Sequence, residues 1–185
     1  MSVFITATGT DVGKTILSSL IIAKYGESYN LKYWKPIQTG KDADSKTVQK
    51  LTGVYDVYIK SPIYHFYFPA SPHYSAYLEM EKIDTQLVVE ELRKVKKSNC
   101  IVEGIGGVLV PLTMNELLAD VFAQSGIPAI VVCSSGLGTI NHTLLTLEAL
   151  EKRGFSILGF YVYGEINELL ENNISTIEKF SGVDC

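Results

Sequence analysis

The residues best suited to chemistry in this chain are two lysines, a threonine and two carboxylates, each placed just after a short apolar run. The segment Thr8-Gly9-Thr10-Asp11-Val12-Gly13-Lys14-Thr15 joins an apolar strand to an amphipathic helix. A bound phosphate needs backbone N–H groups in a concave loop, a positive helix end and a cation. Gly13 lets the backbone approach closely, Lys14 can reach the β- and γ-phosphates, and the Thr15 hydroxyl can ligate Mg²⁺. Thr8 stands where the usual form of such a loop has its first glycine, so the formal pattern fails. The bland alternative is a strand-to-helix turn whose helix opens on a lysine. Gly-Lys-Thr in a strand–loop–helix context favours phosphate.

Tyr33-Trp34-Lys35-Pro36-Ile37-Gln38-Thr39-Gly40 follows the second apolar run. Ligands of open α/β sheets sit beyond the C-terminal strand ends, which would turn Lys35 and Thr39 toward the crevice holding Lys14. A lysine before proline is equally an ordinary exit to solvent. Asp44, read alone, is a helix N-cap. Val102-Glu103-Gly104-Ile105-Gly106-Gly107 sets an acid and free N–H groups at the same sheet edge. Two carboxylates and Thr15 would suit Mg²⁺, which takes a few oxygens and keeps waters; an ordinary loop acid is the alternative for Glu103. Ser134-Ser135-Gly136-Leu137-Gly138-Thr139-Ile140-Asn141-His142 repeats the strand–glycine–helix geometry. It is either a receiver for a carboxylate or phosphate or a helix simply capped by Thr139 or Ser135. His73 and His142 have no serine or cysteine partner at a recognisable spacing, so no hydrolase triad is read. Three scattered histidines and distant cysteines make no zinc site.

Elements must place these residues, and 185 residues at 46% hydrophobic and 19% charged can build them. A monomer of this size buries about 70% of its unfolded surface, enough for a core without staples. The apolar excess hints at a covered surface. A net charge of −4 gives no bulk attraction to nucleic acid or anionic membrane. Cys100, Cys133 and Cys185 form no framework, which fits a reducing cytoplasm. The N-terminus lacks a basic region before its apolar run, so no signal peptide is expected, and no apolar run approaches membrane-spanning length.

The chain alternates apolar runs with amphipathic stretches. Strands are expected at 3–5, 31–34, 99–102, 129–133 and 157–162. Helices are expected at 14–25 (Ile16, Leu20 and Ala23 on one face), 44–51, 84–97 (capped by Asp84), 116–123, 139–152 and 165–179. Residues 55–68, aromatic and punctuated by proline, follow no clean period. Strands apolar throughout and alternating with helices predict a three-layer α/β fold of the P-loop NTPase kind: a mostly parallel sheet with helices on both faces. No linker is visible, so 1–185 is expected to be one domain.

Taken together, Thr10-Asp11-Val12-Gly13-Lys14-Thr15, Lys35-Pro36 with Thr39-Gly40, Asp44, Ser71-Pro72-His73, Val102-Glu103-Gly104 with Gly106-Gly107 and Pro111-Leu112, and Gly138-Thr139-Ile140-Asn141-His142 resemble the dethiobiotin synthetase family. They occur in that family's order over about residues 1–160. The resemblance implies an ATP-dependent cyclo-ligase of biotin biosynthesis. CO₂ adds to one amine of 7,8-diaminononanoate, ATP phosphorylates the carbamate, and the second amine closes the ureido ring, giving dethiobiotin, ADP and phosphate. It implies Lys14, Lys35 and Thr10 at the chemistry, with Asp11, Val12, Gly13, Lys14, Thr15, Glu103 and Gly106 around the nucleotide. Mg²⁺ would be held by Thr15, Asp44 and Glu103. Thr10, Lys35, Thr39 and Gly106, with Gly138, Thr139 and Asn141 across a twofold homodimer, would hold the diamine and its carboxylate.

The chain departs from that family in three places. Its phosphate loop begins Ala7-Thr8-Gly9 where many relatives have Gly-Thr-Asp. Val162-Tyr163-Gly164 replaces an asparagine that reads adenine, and the usual proline-containing segment does not follow. ATP is the default nucleotide, with GTP or CTP as alternatives. The rival reading is a P-loop switch ATPase of the partitioning or septum-site type. That class has a second lysine five residues before the motif lysine, where Gly9 stands here, and an amphipathic tail where this chain has a short polar end. A catalytically dead nucleotide-binding scaffold is the third reading, against which the intact set of lysines and acids argues.

Overall fold

The computed structural model of the protein describes residues 1–41, 44–54, 58–166 and 168–185. Its elements run β1 (Val3–Ala7), α1 (Lys14–Tyr29), β2 (Lys32–Trp34), β3 (Ile37–Thr39), α2 (Asp44–Thr52), β4 (Ile59–Lys60), β5 (Tyr64–Phe66), α3 (Pro72–Leu78), α4 (Thr85–Lys96), β6 (Cys100–Glu103), α5 (Leu118–Ala123), β7 (Ala129–Ser134), α6 (Thr139–Glu151), β8 (Ile157–Tyr163) and α7 (Leu170–Ser181). Six strands form one sheet in the order β4-β2-β6-β1-β7-β8, every pairing parallel. β3 and β5 make a separate parallel pair.

Side-chain alternation along the strands divides the core in two. Phe4, Trp34, Cys100, Val102, Ala129, Val131 and Cys133 face the layer that carries Val88 and Leu92 of α4, Phe122 of α5 and Leu147 of α6. Ile5, Ala7, Tyr33, Ile101 and Val132 face Leu17 and Ile22 of α1 and Val48 of α2. Burying residues of this size stabilises by roughly 1.5–3 kcal/mol each, so both faces of the sheet are committed to helices. Parity has a further consequence. Lys35 continues the register of Tyr33, Glu103 that of Ile101, and Tyr163 that of Tyr161, which packs against the α1 side. Residues from three strands are thereby aimed at the start of one helix.

The expected strands and helices are present, with several differences. The buried face of α1 is Leu17, Ser18 and Ile22; Leu20 is 52% exposed and Ala23 is also at the surface. A sixteen-residue helix makes more than four turns, and the stripe is rotated from the one expected because α1 lies over β1 through Leu17. The final helix starts at Leu170 rather than 165, and α5 at Leu118 rather than 116. β3, β4, β5 and α3 were not assigned from sequence; within that stretch, residues 55–57 lie outside the described ones. Asp84 caps α4 as expected, its carboxylate accepting from the Leu87 N–H at 3.1 Å. The edge strand β8 is covered by the chain end, where Asp184 O accepts from Phe160 N–H at 3.0 Å. No helix among the described residues is long and apolar enough to cross a membrane.

Candidate active site

The C-terminal ends of β1, β2 and β6 open onto a cleft of about 400 Å³. Its phosphate loop turns on left-handed residues: Asp11 has φ 57° and Gly13 φ 100°. Gly13 is the N-cap of α1 and offers no side-chain cap, which leaves the helix N–H groups facing the cleft. A side chain is doubly excluded there, by φ and by the Tyr163 ring, whose Cγ would lie 2.5 Å from a Cβ.

Lys14 is buried, and its ammonium donates to Gly9 O at 2.7 Å and Gly106 O at 3.0 Å. It ties the phosphate loop to the glycine run after β6. Burial lowers its pKa to about 8, partly opposed by the charge of Glu103. A lysine already stripped of water gains more from an arriving anion than an exposed one.

Glu103 is 1% exposed and held on both oxygens. Thr15 Oγ1 donates to Oε1 at 2.8 Å, and Ser18 Oγ donates to Oε2 at 2.8 Å. Burial raises its pKa, against the opposing pull of Lys35, whose ammonium lies 3.7 Å from Oε1. Asp44 pairs with Lys35, and its Oδ1 lies 3.2 Å from Thr15 Oγ1. One hydroxyl proton cannot serve both carboxylates. Thr15 thus lies between the two carboxylates, with the Lys35 ammonium paired to Asp44, and Asp44, Glu103 and Thr15 together are the hard-oxygen donor set of a small oxygen-loving cation. No cluster of three or more histidine, cysteine or acidic side chains occurs among the described residues. Asp44 begins α2 but turns its carboxylate to the cleft.

Of the residues singled out from sequence, Thr10, Asp11, Gly13, Lys14, Thr15, Lys35, Thr39, Asp44, Glu103 and Gly106 line this one cleft. Val12 does not; it packs against the α1-side core. Gly138, Thr139 and Asn141 line a separate cavity of about 500 Å³ with Leu169 and Asn173. Neither Thr139 nor Ser135 caps α6: the N-cap is Gly138 at φ 91°, with no side-chain cap, and the buried Thr139 hydroxyl lies beside Cys133. Three cleft features were missed from sequence: Ser18 bracing Glu103, Gln38 in the lining, and Tyr163 at one wall. Ser18 lies one helical turn after Lys14, so the i+4 spacing was the available signal. Tyr163 falls in the Val162-Tyr163-Gly164 segment that the resemblance sets in place of the adenine-reading asparagine, but its position at the cleft wall depends on the pairing of β8 with β7.

A protein-family profile for the AAA domain matches residues 1–185. The chain is 47% identical over 183 residues to the ATP-dependent dethiobiotin synthetase BioD of Leptospira interrogans, covering 99% of this chain and 83% of that one. It is 40% identical over 173 residues to the enzyme of the same name from Novosphingobium aromaticivorans, covering 92% and 80%. Among solved structures, the MinC:MinD cell division complex of Aquifex aeolicus superposes with TM-score 0.60 at 13% identity, over 100% of this chain and 78% of that one. The hydrogenase maturation factor HypB of Archaeoglobus fulgidus gives 0.58 at 13% identity, over 100% and 78%. Those two likenesses concern the fold alone.

Proposed function

The chain belongs to the ATP-dependent dethiobiotin synthetase family, and we propose that it closes the ureido ring of dethiobiotin from 7,8-diaminononanoate, CO₂ and ATP in the cleft above α1. The observation that carries this is the convergence of two lysines with Thr15, Asp44 and Glu103 in a single cleft. The reaction's obstacle is electrostatic: an anionic carbamate must approach an anionic γ-phosphate. Positive charge fixed in advance lowers that barrier most effectively where water is excluded.

Each group has a part. Lys14 and the N–H groups of residues 10–15 receive the phosphates, with the α1 N-terminus behind them. Lys35 stands between the phosphate and carbamate oxygens and holds them together while the carbamate oxygen attacks phosphorus and ADP leaves. Thr10 and Thr39, at the cleft walls, orient the diamine. The second amine then attacks the carbon of the carbamic–phosphoric anhydride, and phosphate departs as the ring closes. That amine must be neutral to attack, and the neighbouring lysines disfavour its ammonium form. Thr15, Asp44 and Glu103 fit Mg²⁺, which when bound supplies charge neutralisation at the β- and γ-phosphate oxygens.

Gly138, Thr139 and Asn141 would hold the substrate carboxylate in a homodimer, since they share no lining residue with the chemical cleft of their own chain. The exposed Leu137 and Leu145 beside them are the kind of surface a second copy would cover. The deciding assay is phosphate release from ATP with bicarbonate and Mg²⁺, with and without the diamine. Release that the diamine stimulates, with dethiobiotin formed in equal amount, is expected. Release indifferent to the diamine would refute the reading.

A further inference from the structure

A smaller cavity adjoins the chemical cleft on the side away from the phosphate loop. In the strand order β4-β2-β6-β1, the cleft lies over β1, β6 and β2, whereas this cavity of about 220 Å³ lies beyond β2, toward the edge strand β4. Lys35 and Gln38 line both, and so form the wall between them.

The lining is one-sided in charge. Besides Lys35 it holds Lys41, Lys46 and Lys60, and no aspartate or glutamate among the described residues lines it, in a chain whose net charge is −4. Lys41 and Lys46 enter no ion pair among the described residues. Lys60, the last residue of β4, is fixed in place: its ammonium lies 4.0 Å from the Trp34 ring centroid and 2.9 Å from Glu91 Oε2. Glu91 also pairs with Lys94 at 2.7 Å, so one carboxylate is shared by two ammoniums and a positive charge is left over. Asp44, the partner of Lys35, lines the cleft and not this cavity. Ser45 and Lys46 belong to the first turn of α2, which adds the positive end of a helix. His65 Nε2 donates to Gly40 O at 3.0 Å, tying the β5 side of the cavity to the loop that carries Lys41.

Charges of one sign gathered in a small concave space attract an anion and raise its local concentration. The volume is below that of an ordinary site for a nucleotide-sized ligand, which leaves a small oxyanion with its waters. The reaction offers two. Phosphate is set free beside Lys35 when the ring closes, while ADP still holds the phosphate loop, and bicarbonate is the dissolved form of the CO₂ consumed. Resting on the functional reading above, we propose that this cavity is a second oxyanion site, in contact with the chemical cleft through Lys35, for phosphate leaving or bicarbonate arriving.

The test is isothermal titration of the full chain, first saturated with Mg²⁺ and a non-hydrolysable ATP analogue so that the phosphate loop is filled, with inorganic phosphate and separately with bicarbonate. Wild type should still take up one equivalent of oxyanion. Lys41 and Lys46 are both exposed, and the double variant Lys41→Ala/Lys46→Ala should weaken that uptake about 10-fold, with analogue affinity and thermal melting unchanged. Lys24→Ala/Lys82→Ala removes the same charge elsewhere on the surface and should stay within about twofold of wild type. No uptake by the analogue-filled wild type would overturn the proposal. So would an equal loss in the Lys24/Lys82 control, which would trace the effect to net charge, or an unchanged affinity in the Lys41/Lys46 variant. Kinetics separate the two sources. Inhibition by phosphate that persists at saturating ATP and is relieved in the Lys41/Lys46 variant supports an exit site for phosphate. A raised KM for bicarbonate in that variant, with bicarbonate displacing phosphate in the titration, supports an entry site for the carbon. Failure of the functional reading looks different: oxyanion uptake as proposed, with phosphate release that ignores the diamine.

Discussion

Replacing Lys35 by methionine keeps an unbranched stem and removes one charge from the point where two anions must meet. The side chain is 11% exposed, pairs with Asp44 and lies 3.7 Å from Glu103, so the cleft already brings anions to within about 4 Å of this ammonium. At that range and an effective dielectric near 20, a unit charge pair is worth about 4 kcal/mol. If the contact strengthens only as charge gathers between carbamate and phosphate, the loss is roughly 10³-fold in kcat. Nucleotide affinity should change little, because Lys14 and the α1 N-terminus remain. Folding should survive: Glu103 keeps its bonds to Thr15 and Ser18, and the Asp44 side chain is 28% exposed and can be hydrated. The assay is steady-state, diamine-dependent phosphate release, with ATP-analogue affinity and thermal melting measured in parallel. A kcat within about tenfold of wild type would refute the role given to Lys35. An equal collapse of nucleotide affinity would move Lys35 from the chemistry to simple triphosphate binding.

Glu103→Gln should raise the Mg²⁺ concentration needed for half-maximal activity by about 10-fold or more, as loss of a cation-binding carboxylate does; an unchanged Mg²⁺ dependence would remove Glu103 from the cation site. Gly13→Ala should cost about 1–2 kcal/mol from the left-handed backbone alone, with the Tyr163 contact adding to it. Pairing it with Tyr163→Ala should recover only the steric part in a denaturation curve, and full recovery would show that φ at Gly13 does not matter. Mixing Lys35→Met and Asn141→Ala chains after partial denaturation should restore up to about a quarter of wild-type turnover if each site draws on both copies; no recovery would argue for self-contained sites. Hydrogen bonds from Lys60 and then Lys94 depress the Glu91 pKa to about 2, so its contribution is full above the ordinary carboxylate range and lost as pH falls toward 2. Because the pair is only partly buried, Glu91→Gln should lower stability by less than about 1 kcal/mol at pH 7. That difference should vanish near pH 2 in chemical denaturation, and a constant gap across pH would refute the ion pair as its source.

The phosphate loop, the strand–helix alternation and the acid at the end of β6 are legible because each is local: periodicity, glycine and a carboxylate lie within a few residues of one another. What was not legible depends on register. Lys35 and Asp44 had local readings as a solvent exit and a cap, and only the pairing of β2 with β6 sets Lys35 against Glu103. β3 and β5 escaped because a three-residue strand pair carries no period of its own and is held by Ile37 and Phe66 in the core. The α1 stripe was misplaced for the reverse reason. Ile16 and Leu20 are spaced as a buried face should be, but the cleft and an exposed surface claim them, while small Ser18 takes the buried position to reach Glu103.

That exchange exposes the logic of the site. A buried carboxylate is costly unless hydrogen bonds and cations satisfy it, and here the helix whose uncapped N-terminus faces the cleft also provides two of the hydroxyls that do so, Thr15 and Ser18. Any tilt of α1 would therefore disturb phosphate, cation and acid together. The same coupling constrains where the organic substrate can be held. Positive charge, phosphate loop and acids fill the β2–β6–β1 side, and Tyr163 closes the β8 side, so one chain has little wall left for a carboxylate at the far end of a long diamine. The α6 start that could receive it opens into a different cavity of its own chain. In the dimer proposed above, a second copy bringing its α6 start to the open mouth of this cleft would resolve that conflict without moving any of the groups assigned to the phosphates.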